Sequence, residues 1–212
     1  MKNIPVFTTE LGVASLILQE IAYKQQAYIR IQSTANQSRF IKECADFCCA
    51  AGAKEIYLTG ECIPNEFPLY TRIISMVCNR NALSETDAVL VPVTKQTIDE
   101  WRRIHNTKMK NVPCSATLTM NEMEKFLASG TLYYIRRRNE RIGIGKISNN
   151  KIDVVASCVH GAGKDLVLAL NTAISADTIC VEVSDKNMKA VNLYRTLGFV
   201  ESEEIARWYC YK

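Results

Sequence analysis

The sequence lacks a long apolar run, a dense basic patch and a hydrophobic export segment, and each absence excludes a class of protein. No apolar run approaches the roughly 18 residues that a membrane-spanning helix needs. The first ten residues, MKNIPVFTTE, contain no signal-peptide core, so we expect a cytoplasmic protein without a membrane partner. Lys and Arg outnumber Asp and Glu by only 26 to 22. Nucleic-acid binders usually carry a denser basic surface, so we expect no nucleic-acid partner.

Histidine is scarce, and the cysteines do not form the pairs that zinc sites use. The chain has two histidines and nine cysteines. An odd cysteine count argues against a disulfide framework, and C-x2-C pairs are missing, so we expect no metal. Cys44 and Cys48 are four residues apart on a predicted helix, which favours packing as small apolar side chains, with redox or metal use as the alternative. The nine are Cys44, Cys48, Cys49, Cys62, Cys78, Cys114, Cys158, Cys180 and Cys210.

What the chain does have is a globular composition, 48% hydrophobic and 23% charged, which excludes intrinsic disorder. The polar stretch 79–87 separates two apolar segments, so we predict domains at residues 1–85 and 86–212. In the first, we expect strands at 13–18 and 27–31, a helix that Ser38 caps and Gly52 ends, and a strand at 55–59. No constellation of polar residues there points to chemistry, which favours a binding or scaffolding role.

The second half has a clearer order of elements. Val89–Val93 reads as an edge strand because Pro92 removes a hydrogen-bond donor. Two helices follow, the first opened by Thr94 or Thr97 and the second by a capping box at Thr119–Glu122. Three antiparallel strands, a helix, a strand, another helix and a final strand pair complete the prediction. Their approximate ranges are 131–136, 141–147, 152–159, 166–174, 178–183, 187–197 and 199–211.

The turn between the third of these strands and its helix contains Gly161 and Gly163. Glycines before a helix let backbone N–H groups point outward, and the helix dipole favours an anion there, so the turn suits a phosphate. A nucleotide-hydrolase P-loop would need a G-x4-G-K-[ST] pattern, which this segment does not match. An ordinary tight turn is the alternative.

The last helix gives the turn its context. Asn187, Ala190, Leu193, Tyr194, Leu197, Gly198 and Phe199 match the final helix of a known family. Residues 86–212 therefore resemble the GNAT superfamily of acyl-CoA-dependent N-acetyltransferases. The resemblance implies an α+β (α/β) fold with a mixed, mostly antiparallel sheet flanked by helices. The first 85 residues resemble a degenerate half of the same fold, with strands and one helix.

The resemblance also implies the site. Acetyl-CoA would be the co-substrate, the tyrosine at 194 would protonate the departing thiolate, and Asn187 would contact the pantetheine arm. Glu182 alternates with two buried valines, so it faces either the cleft as general base or solvent. The residues expected to contact the coenzyme are Ala156, Cys158, Gly161, Ala162, Gly163, Lys164, Asp165, Leu166 and Asn187.

The turn departs from the family's [QR]-x-x-G-x-[GA] pattern. His160 stands first and Asp165 last, with Gly163 in place. A carboxylate beside a pyrophosphate is unfavourable unless it points away, as it would if Asp165 capped the helix. His105 is either an acceptor contact or a surface residue, and Trp101 is a core residue. The arginines at 136–138 are expected to form a solvated strand edge.

Two functions fit the sequence. The first is an N-acetyltransferase that transfers acetyl directly, in a ternary complex, to the primary amine of a small molecule or protein. The second is a catalytically silent acyl-CoA-binding or scaffolding module, which Asp165 and the first half favour. We also expect that the chain can form a homodimer.

Overall fold

The computed structural model describes residues 5–61 and 63–211; residues 1–4, Cys62 and Lys212 lie outside the described residues. The chain divides into two compact units. The N-terminal unit comprises residues 1–72 and 205–212, and the C-terminal unit comprises residues 73–204. The sequence predicts a division between residues 85 and 86. Strand β5 (Leu69–Asn79) accounts for the difference, because its residues 73–79 pair along the whole of strand β10 (Thr178–Ser184).

The N-terminal unit is a sheet with one long helix. Its strands lie in the order β1-β2-β3-β4-β11, and all neighbours are antiparallel except β3 and β4. Helix α2 packs Phe40, Ile41 and Cys44 into the core of this unit. The elements are β1 Val6–Thr9, β2 Gly12–Ile17, the single turn α1 Ile21–Lys24, β3 Gln26–Thr34, α2 Gln37–Ala50, β4 Glu55–Thr59 and the C-terminal part of β11 Val200–Cys210.

Two details of this unit differ from the sequence prediction. Asn36, not Ser38, caps α2, because the Asn36 side chain accepts a hydrogen bond from the Arg39 N–H at 3.2 Å. The predicted final strand pair is wrong, because residues 200–210 form the one strand β11. That segment contains no glycine, proline or asparagine that would favour a turn. Gly52 does follow α2, with φ of +99°.

The C-terminal unit is a mixed sheet covered on both faces. Its strands lie in the order β5-β10-β9-β8-β7-β6, with only β9 and β10 parallel, and β6 at the edge as predicted. The elements are β5, a 3-10 turn at Arg80–Ala82, β6 Val89–Pro92, α3 Ile98–Met109, α4 Met120–Ala128, β7 Leu132–Arg137, β8 Glu140–Ser148, β9 Lys151–Ser157, α5 Gly163–Asn171, β10 and α6 Met188–Thr196.

Alternate residues of the strands contribute to two separate cores. Tyr134 packs with Trp101 and Met123 from α3 and α4, whereas Ile135 packs with Leu166 of α5. Successive side chains of a strand point to opposite faces, so α3 and α4 cover one face of the sheet. Helices α5 and α6, whose buried residues share the core of Ile135, cover the other. The structure thus confirms the predicted α+β class, the helix pair before β7 and the capping box at Thr119, where the Glu122 carboxylate accepts from the Thr119 N–H at 3.0 Å.

Candidate active site

Strands β9 and β10 separate inside the sheet. They pair at only two positions, Cys180 with Lys151 and Val181 with Ile152. Beyond that point β9 continues to Ser157 alongside β8, and β10 continues to Ser184 alongside β5. The two strands therefore diverge toward their C-terminal ends, and their facing backbone groups remain available to an extended ligand.

This gap leads to the glycine turn at the start of α5. Gly161 has φ of +80°, which glycine adopts without strain, and a Cβ atom there would meet no atom within 4 Å. Ala162 occupies the N-cap position of α5 and provides no side-chain cap. The first turn of the helix thus presents N–H groups and the positive end of the dipole to the turn, as an anion site requires.

The predicted coenzyme residues lie around this turn in different environments. Gly161 and Lys164 are exposed. Gly163 is half-buried and packs against α6. A Cβ atom at this position would lie 3.0 Å from Leu193 Cδ2. Leu166 is fully buried, and its N–H donates to the Ala162 carbonyl at 3.1 Å within the helix. The Ala162 N–H also donates, to the Val159 carbonyl at 3.3 Å, so the N–H groups of residue 161 and residues 163–165 are the ones positioned for an anion.

Two predicted strand residues precede the turn. Ala156 is buried in the core that contains Trp101, and Cys158 is half-buried just after β9. Both lie on the segment that borders the gap, so their backbone groups are placed next to it. His160 is an exposed residue of the turn.

Asp165 does not cap α5, because Ala162 occupies the N-cap position and no side chain caps the helix. Its carboxylate oxygen Oδ2 lies 2.6 Å from Arg137 Nη1, and Thr86 Oγ1 donates to Oδ1 at 3.4 Å. Arg137 ends β7, so the arginine run is not simply a solvated edge. The sequence could not show this pairing, because residues 137 and 165 meet only after the sheet and α5 pack.

Tyr194 lies in the core of the C-terminal unit. Its side chain is 7% exposed, and its ring centroid is 5.5 Å from that of Phe199. Burial raises the pKa of Tyr194 to about 12, because the phenolate would lose its hydration. The hydroxyl is therefore protonated at neutral pH. Asn187 caps α6 by accepting a hydrogen bond from the Ala190 N–H at 3.3 Å.

Charged side chains gather at the position where β9 and β10 separate. Glu182 lies 2.6 Å from Lys151 Nζ, and the carboxylate of Asp153 contacts Lys146 and accepts a hydrogen bond from Ser148 at 2.8 Å. The register with β8 shifts here, since Lys146 faces Val154 while Ile147 faces Ile152. The sequence analysis missed Lys146, Lys151 and Asp153, because a bulge carries no strong signal in a strand of ordinary composition.

His105 is buried, not a surface residue. It is 6% exposed and stacks on Trp101 with 5.6 Å between ring centroids. The Nδ1 atom lies 3.0 Å from Asn106 Oδ1. The Trp101 indole N–H donates to the Tyr133 carbonyl at 3.0 Å, which confirms Trp101 as a core residue. These contacts of His105 lie within α3, and the hydrogen bond from Trp101 to Tyr133 joins the helix to the sheet.

The N-terminal unit repeats the strand–helix–strand order of the site without its two features. Strands β3 and β4 are parallel and pair at five successive positions, so they do not separate as β9 and β10 do. The N-terminus of α2 is capped by Asn36, whereas that of α5 has no side-chain cap. The arrangement that suits an extended anionic ligand therefore belongs to the C-terminal unit.

Neither a metal site nor a membrane span is found in the part of the chain that the structure describes. No group of three or more His, Cys, Asp or Glu side chains among residues 5–61 and 63–211 could hold a metal ion. No helix in those ranges has the length and apolarity to cross a bilayer. Cys44 and Cys48 are fully buried in the core of the N-terminal unit, as predicted.

No protein-family model and no curated protein sequence matches the chain. Solved structures do match. A conserved protein of unknown function from Staphylococcus epidermidis has a TM-score of 0.63 at 12% identity, covering 99% of this chain and 94% of its own. A GCN5-related N-acetyltransferase from Sphaerobacter thermophilus has a TM-score of 0.58 at 8% identity, covering 93% and 75%.

A third similar structure is a tandem GNAT protein from the clavulanic acid biosynthesis pathway, with a TM-score of 0.51 at 10% identity. The match covers 94% of this chain and 78% of that protein. The separated parallel strands, the glycine turn and the final helix thus occur in an architecture shared with these proteins along almost the whole chain. The chain has the fold of the GNAT-superfamily acetyltransferases.

Proposed function

We propose that the protein is an acetyl-CoA-dependent N-acetyltransferase that transfers acetyl directly to a primary amine in a ternary complex. One observation carries the proposal: the gap between β9 and β10 leads straight to the N-terminus of α5, which has no side-chain cap. A pantetheine arm is extended and hydrogen-bonding, and a pyrophosphate is anionic. The gap suits the first, and the helix N-terminus suits the second.

Most of the predicted coenzyme residues would have a role in this arrangement; Leu166 would not, because it is fully buried and its N–H bonds within the helix. The backbone at Ala156 and Cys158 borders the gap and would pair with the amide groups of the pantetheine arm. The N–H groups of residue 161 and residues 163–165 would hold the pyrophosphate, with the exposed Lys164 ammonium adding positive charge. Asn187 would contact the arm from the start of α6, where its side chain also forms the helix cap.

The bound thioester supplies an activated acetyl group, and the protein's residues would position the amine and move two protons. The Tyr194 hydroxyl, which is protonated at neutral pH, would donate a hydrogen bond and then a proton to the departing sulfur. Glu182 lies at the point of strand separation and would accept the proton of the amine. Its carboxylate forms an ion pair with the Lys151 ammonium, with 2.6 Å between Oε1 and Nζ.

A catalytically silent acyl-CoA-binding module is the second candidate. The observation that favours it is the burial of Tyr194 against Phe199, which is also how a purely structural aromatic residue packs. Both candidates need coenzyme binding, and only the first needs amine-dependent release of free coenzyme A.

Calorimetric titration with acetyl-CoA tests the binding step. Gly161→Asp and Gly161→Asn make a matched pair, because both side chains tolerate positive φ and both enter open space. Only the aspartate adds negative charge at the turn. We expect Gly161→Asp to weaken binding by roughly 10- to 100-fold relative to Gly161→Asn, as a like charge near a phosphate requires. An unmodified chain that shows no affinity for acetyl-CoA or coenzyme A would overturn the proposal.

Turnover is then tested with a panel of small amines and peptides with free N-termini. Released coenzyme A should be measured by chromatography, because the exposed Cys49 thiol would react with a thiol reagent. Release that depends on the amine supports the enzyme. Tight coenzyme binding with no amine-dependent release across the panel supports the silent module.

A further inference from the structure

Asp165 occupies a position where a free carboxylate would compete with the proposed ligand. It is the third residue of α5 and the acidic residue of its first turn. Negative charge in the first turn of a helix is attracted by the same N–H groups and dipole that attract a bound phosphate. An unpaired carboxylate there would therefore repel an incoming pyrophosphate and occupy part of the favourable potential.

Three elements of the C-terminal unit meet at this carboxylate. Arg137 at the end of β7 lies 2.6 Å from Oδ2, and Thr86 from the segment before β6 donates to Oδ1 at 3.4 Å. Thr86 is itself fixed, because its hydroxyl accepts a hydrogen bond from the Ala88 N–H at 3.2 Å. The Asp165 side chain is 24% exposed and that of Arg137 40% exposed, so the pair is only partly screened by solvent.

We propose that Arg137 is a positioning residue for coenzyme binding, because it neutralises the Asp165 carboxylate and holds it off the phosphate turn. The proposal rests on the proposed function, since it concerns the same ligand. Arg137 acts through Asp165 and not by contacting the phosphates. It explains how this turn tolerates an acidic residue beside its glycines.

The test compares the affinity for coenzyme A of four proteins: the unmodified chain, Arg137→Met, Asp165→Asn and the double variant. Methionine keeps the apolar length of the arginine side chain and removes its charge. We expect Arg137→Met to bind roughly 5- to 20-fold more weakly, the size of one uncompensated charge acting over several ångströms near a protein surface. We expect the double variant to bind as tightly as Asp165→Asn, because removing the carboxylate removes the need for the arginine.

Two further variants separate this role from simpler ones. Arg138→Met removes the same charge from the exposed neighbouring position and should change affinity by less than about twofold, since exposed charges are screened by salt. Arg137→Lys should recover most of the affinity. The loss in Arg137→Met should shrink as salt is raised. Thermal melts of the ligand-free proteins should differ little, because partly exposed ion pairs contribute only about 0–1 kcal/mol.

The outcomes distinguish this inference from the proposed function. If the unmodified chain does not bind coenzyme A, the proposed function fails. If it binds and Arg137→Met binds equally well, the inference alone fails. An equal loss from Arg137→Met with and without Asp165→Asn also overturns it, because that result would mean direct contact between Arg137 and the ligand.

Discussion

Gly145 of β8 and Leu170 of α5 are packed so closely that a larger residue at position 145 would have to displace the Leu170 side chain. A Cβ atom there would lie 2.6 Å from both terminal carbons of Leu170. Gly143, two residues earlier on the same face, stands in the same relation to Leu166, also at 2.6 Å. These two glycines let α5 approach the sheet, and so they set the distance of its N-terminus from the gap between β9 and β10.

Alanine at these positions should therefore destabilise the fold. We expect Gly145→Ala to lower the free energy of unfolding by about 1–3 kcal/mol, the usual cost of overpacking a core. Gly143→Ala should cost more, since its Cβ would also lie 2.7 Å from the Ala156 carbonyl oxygen, a backbone atom of a paired strand. Urea unfolding of both variants measures this. A Gly143→Ala variant as stable as the unmodified chain would contradict the close approach of α5.

Replacing Tyr194 by phenylalanine tests its proposed catalytic role. The change keeps the ring that packs on Phe199 and removes only the hydroxyl, so the melting temperature should hardly change. We expect turnover to fall about 10²- to 10⁴-fold with little change in the Michaelis constant for acetyl-CoA, as for loss of a positioned proton donor. Steady-state kinetics with an accepted amine gives the result. Near-normal turnover would make Tyr194 a structural residue only.

Expressing residues 86–212 alone should give an unfolded or aggregated product. The fragment lacks β5, which pairs with all seven residues of β10 and contributes the buried side chains of Ile74 and Met76. Without them β10 has an unpaired edge and the core loses part of its packing. Size-exclusion chromatography and circular dichroism would show this. A monomeric, folded fragment that binds acetyl-CoA would instead show that β5 is dispensable.

Alanine substitutions at Asn36 and Ser38 show which of these two residues caps α2. Asn36→Ala removes the hydrogen bond to the Arg39 N–H and should cost about 0.5–2 kcal/mol. Ser38→Ala changes an exposed residue inside the helix, and it should be neutral or slightly stabilising because alanine has the highest helix propensity. Thermal unfolding of the two variants gives the comparison. A larger loss from Ser38→Ala would assign the cap to Ser38 after all.

The buried Cys44 of α2 should make the folded protein less stable at alkaline pH. Burial raises the pKa of Cys44 from 9.0 to about 12, because its thiolate would be desolvated. Because the pKa is higher in the folded state than in the unfolded state, the stability that the protonated Cys44 thiol contributes is fully present below pH 9. That stability is lost as the pH rises toward 12. The unmodified chain should therefore lose more stability than Cys44→Ala between pH 8 and roughly 10.5. The free energy of unfolding of both proteins is measured by urea unfolding at the two pH values. If both proteins lose the same amount, Cys44 does not contribute to the pH dependence of stability.

Much of the fold could be predicted because its signals are local. Glycines after helices, the capping box at Thr119 and the alternation of apolar residues are determined within a few positions of the chain. The match of Asn187, Tyr194 and Gly198 to one helix is also local, and it identified the architecture that the structure confirms. The wrong prediction at Ser38 concerns an element end, where neighbouring polar residues compete. The wrong final strand pair divided a strand that is continuous over Val200–Cys210.

The tertiary structure alone decided the contacts that make a site. The two-position pairing of β9 with β10, the bulge at Asp153 and the contact of Asp165 with Arg137 join residues that are far apart in the sequence or depend on sheet register. Register and helix docking follow from packing of the whole core, not from local propensity. By itself the sequence determined most of the strands and helices and the position of a turn that suits a phosphate. Packing decided where the strands separate beside that turn and how its acidic residue is neutralised, because those contacts form only between elements that are already folded.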